Sequence, residues 1–339
     1  MIHQALHKAM THQNLERAEA LEAMNAIMSG EASEAEIAAF LVAMRMKGET
    51  ATEVAGFAEA MRRHATPVKT RHADAIDVCG TGGDGMHTFN ISTIAAFVVA
   101  GGGVPVAKHG NRSVSSRCGS ADVLTALGVN ILLTAEQMGR CLDEVGMAFL
   151  FAPSLHGAMR HAAGPRKAIG VKTVFNILGP ITNPAGVKRQ LIGVFDAGVA
   201  RLLALVLREL GTVHALVVHG SDGLDEVTLH DRTFAVELQN GEVRESYLSP
   251  DDFALPWQSR NGVSEGDVTK NAEMVWRVLQ GEAGELRDTV LANAACGFFV
   301  AGAAKDLAEG IWLARESLDS GAALAKLEQL RQFSNAPAA

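Results

Sequence analysis

The first 65 residues alternate apolar and polar positions with the period of an α-helix. Leu15, Ala18, Leu21, Met24 and Met28 fall on one helical face. Gly30 stops that helix. Ser33 with Glu36 is a capping-box pattern ahead of Ile37, Phe40, Leu41 and Met44, and Gly48 stops the second helix. Thr50 with Glu53 repeats the pattern and opens a third helix running to about Arg63, before Thr66-Pro67 ends the segment. The spacing predicts three or four amphipathic helices with short loops, and so a small helical domain.

From residue 75 short apolar runs alternate with helical stretches. Strands are expected at Ala75–Cys79, Val104–Ala107, Met147–Phe151, Gln190–Phe195 and Val213–Val218. Helices are expected at Ser92–Ala100, Ala121–Leu127 and Val199–Leu210. Strands separated by helices pair in parallel and carry helices on both faces. The fold class is therefore α/β, with a mostly parallel central sheet. Thr233–Ser246 reads as a polar strand-like stretch, and the chain then turns helical, most clearly at Leu286–Val300 and Ile311–Leu318. Met159–Pro184 breaks the alternation. Its steps Gly179-Pro180 and Asn183-Pro184 force extended or turned backbone, so this stretch should leave the sheet, return to the helical part and wall a cleft. The expected division is a helical domain over 1–68, joined in space by about 156–186. An α/β domain covers 69–155 and 187–333, and a frayed tail covers 334–339.

Composition narrows the class. Hydrophobic residues are 48% of 339, enough for a sizeable core, and aromatic residues only 5% with a single Tyr. The formal net charge of −8 repels long polyanions, so nucleic acid is not an expected partner and any anion site must be local. The longest apolar stretches, such as Ile94–Val106, are broken by glycines and too short to span a bilayer, and the first twenty residues lack the apolar run of a signal peptide. Cys79, Cys118, Cys141 and Cys296 form no CxxC or other metal-ligand spacing, which suits reduced thiols in a cytoplasmic protein.

The candidate chemistry gathers after predicted strands. Gly80-Thr81-Gly82-Gly83-Asp84-Gly85 can turn sharply and approach a bound group, and its N–H groups, with the next helix start, attract phosphate. The loop lacks the P-loop ending and the dinucleotide fingerprint. Its Asp84 suggests contact with sugar hydroxyls, water or a bridging metal, although an Asp-Gly turn without a ligand has the same letters. Asn90, Ser92 and Thr93 follow at the helix start, where Asn90 or Ser92 could cap and also bind an anion. Lys108 to Ser116 supplies two permanent cations, Lys108 and Arg112, expected to meet phosphates at a strand's carboxyl end. Asp225-Glu226, after another strand, suits a hard cation such as magnesium shared with substrate phosphates. A phosphorylated sugar with a magnesium-bound diphosphate would use all of these elements.

The series GTGGD, NIST, KHGNRSVSS, FNILGPITNPA and DGLDE, in this order, resembles the anthranilate phosphoribosyltransferase family along nearly the whole chain, most densely from Asp77 to Glu226. The resemblance implies a helical domain beside an α/β domain, a homodimer joined through the helical domains, and two magnesium ions. It implies that Gly80, Gly83, Asp84, Thr88, Asn90, Ser92, Thr93, Lys108 and Ser120 bind phosphoribosyl pyrophosphate (PRPP). Lys108 and Asp84 would be catalytic, and Ser92, Asp225 and Glu226 would hold magnesium. Gly80, His109, Asn111, His156, Arg166 and Pro180 would face anthranilate, with Arg166 pairing its carboxylate. The chain departs from the family's usual pattern at Ser154-Leu155-His156-Gly157, Pro165, Met86-His87 and Cys118.

The expected reaction is displacement at the ribose anomeric carbon with inversion, since no Ser-His or Cys-His nucleophile pair stands out. A pyrimidine nucleoside phosphorylase-like enzyme is the nearest rival, and would have no need of the acidic pair. A non-enzymatic nucleic-acid-binding relative would show a basic stripe, which the charge does not provide.

Overall fold

The N-terminal periodicity resolves into α1 (Ile2–Met10), α2 (Arg17–Met28), α3 (Glu34–Lys47) and α4 (Ala51–His64) in a computed structural model that describes residues 2–86, 88–113, 118–259 and 266–337. Both capping boxes close. Glu36 N–H donates to Ser33 Oγ at 3.3 Å while the Glu36 carboxylate accepts from Ser33 N–H at 2.7 Å. Thr50 and Glu53 repeat this at 3.3 and 2.8 Å. The fully buried Glu53 carboxylate also accepts from Leu15 N–H at 2.8 Å and Lys47 Nζ at 2.9 Å, so one side chain ties three segments together.

The buried face of α2 differs from the expected one. Ala18 is exposed and Leu21 half-buried, whereas Ala20, Ala23, Met24 and Ile27 are buried. The reason is the crossing with α4. A Cβ on Gly56 would lie 2.9 Å from Ala20 Cβ and 2.5 Å from Arg17 O, so the helices approach closely only along the small-residue stripe.

The remainder alternates strands and helices. β1 (Ile76–Gly80), α5 (Ile91–Gly101), β2 (Val106–Gly110), α6 (Ser120–Ala126), α7 (Ala135–Val145) and β3 (Met147–Phe151) come first. Then follow α8 (Ala152–Leu155), α9 (Arg160–Ile169), α10 (Phe175–Leu178), β4 (Arg189–Gly193), α11 (Ala197–Glu209) and β5 (His214–Gly220). β6 (Thr233–Gln239), β7 (Glu242–Leu248), α12 (Val268–Leu279), α13 (Glu285–Ala301), α14 (Leu307–Asp319) and α15 (Ala322–Asn335) complete the chain. Among the described residues the sheet has seven strands in the order β3-β2-β1-β4-β5-β6-β7. The first five are mutually parallel and the last two antiparallel. The stretch read as one polar strand is thus a hairpin, turned at Asn240-Gly241 where both φ angles are positive, at 50° and 87°. The expected tail is shorter at its start. Ser334 and Asn335 lie in α15, tied by Asn130 N–H to Ser334 Oγ at 3.1 Å and by Asn335 Nδ2 to Gly128 O at 2.8 Å. Ala338 and Ala339 lie outside the described residues.

Burial alternates with period two. Leu191, Leu216 and Val218 face a core shared with α5 and α13, and Ile192, Ala215 and Val217 face one shared with α11 and the N-terminal helices. The segment between β3 and β4 leaves the sheet and adds Ala162, Phe175, Ile177 and Ile181 to the second core. Its return is pinned by Asn183, whose Nδ2 donates to Asp77 Oδ2 and to Ala107 O, each at 2.8 Å. The N-terminal helices and this segment therefore stand together on one side of the sheet, above the ends of β1 and β4.

Candidate active site

β1 pairs with β2 on one side and β4 on the other, so the chain leaves β1 and β4 in opposite directions. A crevice opens outside the carboxyl ends of strands at such a point. Glycines end the strands there: Gly80 on β1, Gly110 on β2, Gly193 on β4 and Gly220 on β5. A Cβ on Gly193 would overlap the carbonyl oxygen of Asp225, and one on Gly80 would lie 3.1 Å from Asp225 Oδ2. The missing side chains let the Asp225-Glu226 loop settle on the strand ends. The glycine loop turns through positive φ at Gly82 (62°), Gly83 (75°) and Gly85 (73°). Gly82 N–H donates to Asp225 Oδ2 at 2.8 Å, and Asp225 N–H to Asp84 Oδ2 at 3.3 Å. His87 lies outside the described residues, and Thr88 is half-buried where the loop returns toward α5.

Asn90 occupies the N-cap position of α5 but forms no side-chain cap, contrary to one expectation. Its Nδ2 donates to Cys118 O at 3.2 Å and its Oδ1 is buried without a partner. The Ser92 N–H instead donates to Glu226 Oε1 at 3.2 Å. Thr93 is buried with its hydroxyl unpaired. Lys108 and His109 are a second difference: they lie within β2, not in a loop after it. β2 runs to Gly110 because its register with β3 continues to Gly110 opposite Phe151. Lys108 Nζ passes beneath the sheet's end, donating to Val78 O at 2.6 Å and Ser92 Oγ at 3.3 Å. Arg112 does not join it. Arg112 pairs with Asp122 at 2.7 Å, at the outer lip, because α6 presents Asp122 there. Ser115 and Ser116 lie outside the described residues.

Carboxylates crowd this end of the sheet. Burial, then the Asp84 charge, pushes Asp225 up to about 7, and burial, then Asp225, pushes Glu226 up to about 8. Burial pushes Asp77 up to about 6 and pulls the Lys108 ammonium below the usual lysine range. Asn293, fully buried on α13, clamps the next residue: its Oδ1 accepts from Val227 N–H at 3.0 Å and its Nδ2 donates to Val227 O at 2.9 Å. Carboxyl groups this buried and this close resist ionisation, and a divalent cation would relieve that, so the donor set fits magnesium. No group of three or more His, Cys, Asp or Glu side chains among the described residues could hold a metal ion by itself. Magnesium characteristically takes one or two carboxylates and fills its shell with water and substrate phosphate.

The remaining expected residues stand on both sides: His109, Asn111 and Ser120 on the sheet side, in or after β2 and at the start of α6, and His156, Arg166 and Pro180 on the segment between β3 and β4. His109 and His156 stand with ring centroids 5.1 Å apart, and His109 Nδ1 lies 3.2 Å from Gly179 O. Burial holds both imidazoles neutral, at about 3 and about 4, with the neighbouring His156 adding to the effect on His109. Both Nε2 atoms are buried without a partner. Pro180 is buried, its carbonyl accepting from Gln190 Nε2 at 2.8 Å. Asn111 and Ser120 meet at the lip, where Ser120 Oγ donates to Asn111 O at 3.3 Å. Arg166 lies on α9 after Pro165, its guanidinium carbon 5.2 Å from the Phe175 ring centre. Sequence reasoning missed Asn293 and Gly193, which act through backbone contacts far apart in the chain. It read Asn183 only as a turn residue.

Residues 3–65 match the family model described as glycosyl transferase family, helical bundle domain, and residues 72–324 the glycosyl transferase family a/b domain. The anthranilate phosphoribosyltransferase of Moorella thermoacetica is 54% identical over 330 residues, 97% of each chain. This chain belongs to the anthranilate phosphoribosyltransferase family. The crystal structure of the Thermus thermophilus anthranilate phosphoribosyltransferase superposes with a TM-score of 0.93 at 44% identity, covering 98% of this chain and 99% of that one. The Saccharomyces cerevisiae anthranilate phosphoribosyltransferase in complex with PRPP and Mg gives 0.89 at 28% identity, covering 98% and 97%. Family membership extends over both the helical part and the sheet.

Proposed function

We propose that this crevice transfers the 5-phosphoribosyl group of PRPP to the amine of anthranilate, giving N-(5-phosphoribosyl)anthranilate and pyrophosphate for tryptophan biosynthesis. The observation that carries the reading is the facing of two unlike walls. On one side stand a glycine loop, an uncapped helix start, a buried lysine and paired carboxylates. On the other stand the neutral imidazole of His156, in ring contact with His109 of β2, and an arginine with no carboxylate partner among the described residues.

Gly80, Gly83, Asp84 and Thr88 lie against the ribose and diphosphate, and Asn90, Ser92, Thr93 and Ser120 receive phosphate oxygens. Lys108 sets a fixed cation under Ser92, where charge grows as the anomeric C–O bond breaks. Asp225 and Glu226, with Ser92, would hold two magnesium ions. Magnesium, when bound, supplies neutralisation of the departing diphosphate. Anthranilate enters along His109, Asn111, His156, Pro180 and Gly80, with its carboxylate on Arg166. Its amine is neutral and already nucleophilic, so holding it in line with the anomeric carbon supplies much of the rate without a strong base. Residues 1–68, joined by about 156–186, form a helical domain and 69–155 with 187–333 an α/β domain, the protein works in the cytoplasm, and two copies pair through α3, where Val42 and Met46 are exposed one turn apart.

Anthranilate fluorescence followed with purified protein tests the reaction. Loss of signal only when PRPP and magnesium are both present is expected. Steady fluorescence under those conditions removes anthranilate as the acceptor, and turnover without magnesium removes the metal role of Asp225 and Glu226.

A further inference from the structure

Lys172, between α9 and α10, reaches across the crevice to the glycine loop. Its Nζ donates to Gly83 O at 2.8 Å although the two residues are 89 positions apart. The same Nζ lies 3.5 Å from the ring centre of Phe195, which follows β4. The ammonium is thus held between groups leaving β1 and β4, the two strands that border the crevice. Other polar ties from this wall lie deeper. Asn183 meets Asp77 and Gln190 meets Pro180, both buried, and His109 meets Gly179, partly buried. Among the described residues, Lys172 makes the hydrogen bond that joins this wall to the glycine loop.

An ammonium has three N–H donors. One is spent on Gly83 O and one faces the Phe195 ring, a geometry that favours a cation. No described carboxylate forms an ion pair with Lys172, so a donor and a full charge remain at the mouth of an anion site. Gly83, with φ at 75°, is in a conformation that glycine adopts cheaply, and its carbonyl so turned is the acceptor for Lys172.

We infer that Lys172 is a positioning residue for the phosphoribosyl donor, holding the glycine loop from the opposite wall and adding a cation at its edge. The inference rests on the reading that PRPP occupies this loop. It assigns to the helical side a part in binding the donor as well as the acceptor.

The test is steady-state kinetics with both substrates varied, together with melting temperature, for wild type, Lys172→Met and Lys172→Arg. Met keeps the aliphatic stem over Phe195 and removes donor and charge. Arg restores both. Lys172→Met is expected to raise the KM for PRPP about tenfold, with kcat and the KM for anthranilate within about twofold and an unchanged melting temperature. Lys172→Arg is expected to recover most of that loss. An unchanged KM for PRPP in the Met variant would overturn the proposal. So would equal losses for both substrates with a lowered melting temperature and no rescue by Arg, which would make Lys172 structural. Inactive wild type would instead refute the reaction assigned to the crevice, a result the variants cannot mimic.

Discussion

Arg166 keeps its guanidinium over Phe175 in a partly desolvated position, and no described carboxylate neutralises it. A planar cation left without an ion pair selects a carboxylate, and bidentate geometry would fix its orientation. Arg166→Ala is therefore expected to raise the KM for anthranilate by roughly 10- to 150-fold, the equivalent of about 1.5–3 kcal/mol for a hydrogen bond to a charged group. The KM for PRPP should change little. Equal effects on both substrates, measured by initial rates, would move Arg166 into the framework of the cleft. The imidazoles contribute differently. Held neutral by burial, His109 and His156 offer hydrogen-bonding nitrogens without adding charge.

At the level of elements, the site is an arrangement of strand ends and one helix start. α5 begins without a side-chain cap, and the carboxylate of Glu226 takes the N–H of Ser92 in place of one. The loop carrying Glu226 is held from both sides, by Asn293 on α13 and by its seat on Gly193 at the end of β4. Gly193→Ala would place a methyl group in the Asp225 carbonyl and force the loop away from the strands. We expect kcat/KM for PRPP to fall by at least about tenfold and stability to fall by about 1–3 kcal/mol, the usual cost of overpacking. Kinetics and a thermal melt check both. Wild-type values would mean that the loop has room to move without losing function.

For the molecule as a whole, the second core joins the N-terminal helices, α11 and one face of the sheet, so the two walls share apolar contacts at their base. The exposed flank of α3 is where an apolar stripe remains uncovered, with Met46 76% and Val42 37% exposed. Pairing of two copies there predicts a dimer by light scattering at micromolar concentration and a monomer for Met46→Asp, since a carboxylate would be buried without a partner. A monomeric wild type would remove α3 as an interface.

Hydrophobic periodicity by itself determined the helical start, the alternating strands and the mostly parallel sheet, because burial on one face leaves its period in the letters. Gly80, Asp84, Ser92, Asp225 and Glu226 stood out because their loops concentrate residue types with specific chemistry after apolar runs. What the letters did not carry is distance between segments remote in the chain. That Lys108 lies inside β2 depended on its register with β3, and that Ala20 rather than Leu21 faces α4 depended on the close crossing at Gly56. The spending of Arg112 on Asp122, the clamp of Asn293 on Val227 and the reach of Lys172 to Gly83 are contacts across 10, 66 and 89 residues. Such contacts leave no local pattern, since each residue would look equally at home on a solvated surface. Only the packing of the folded chain sets which of them meet.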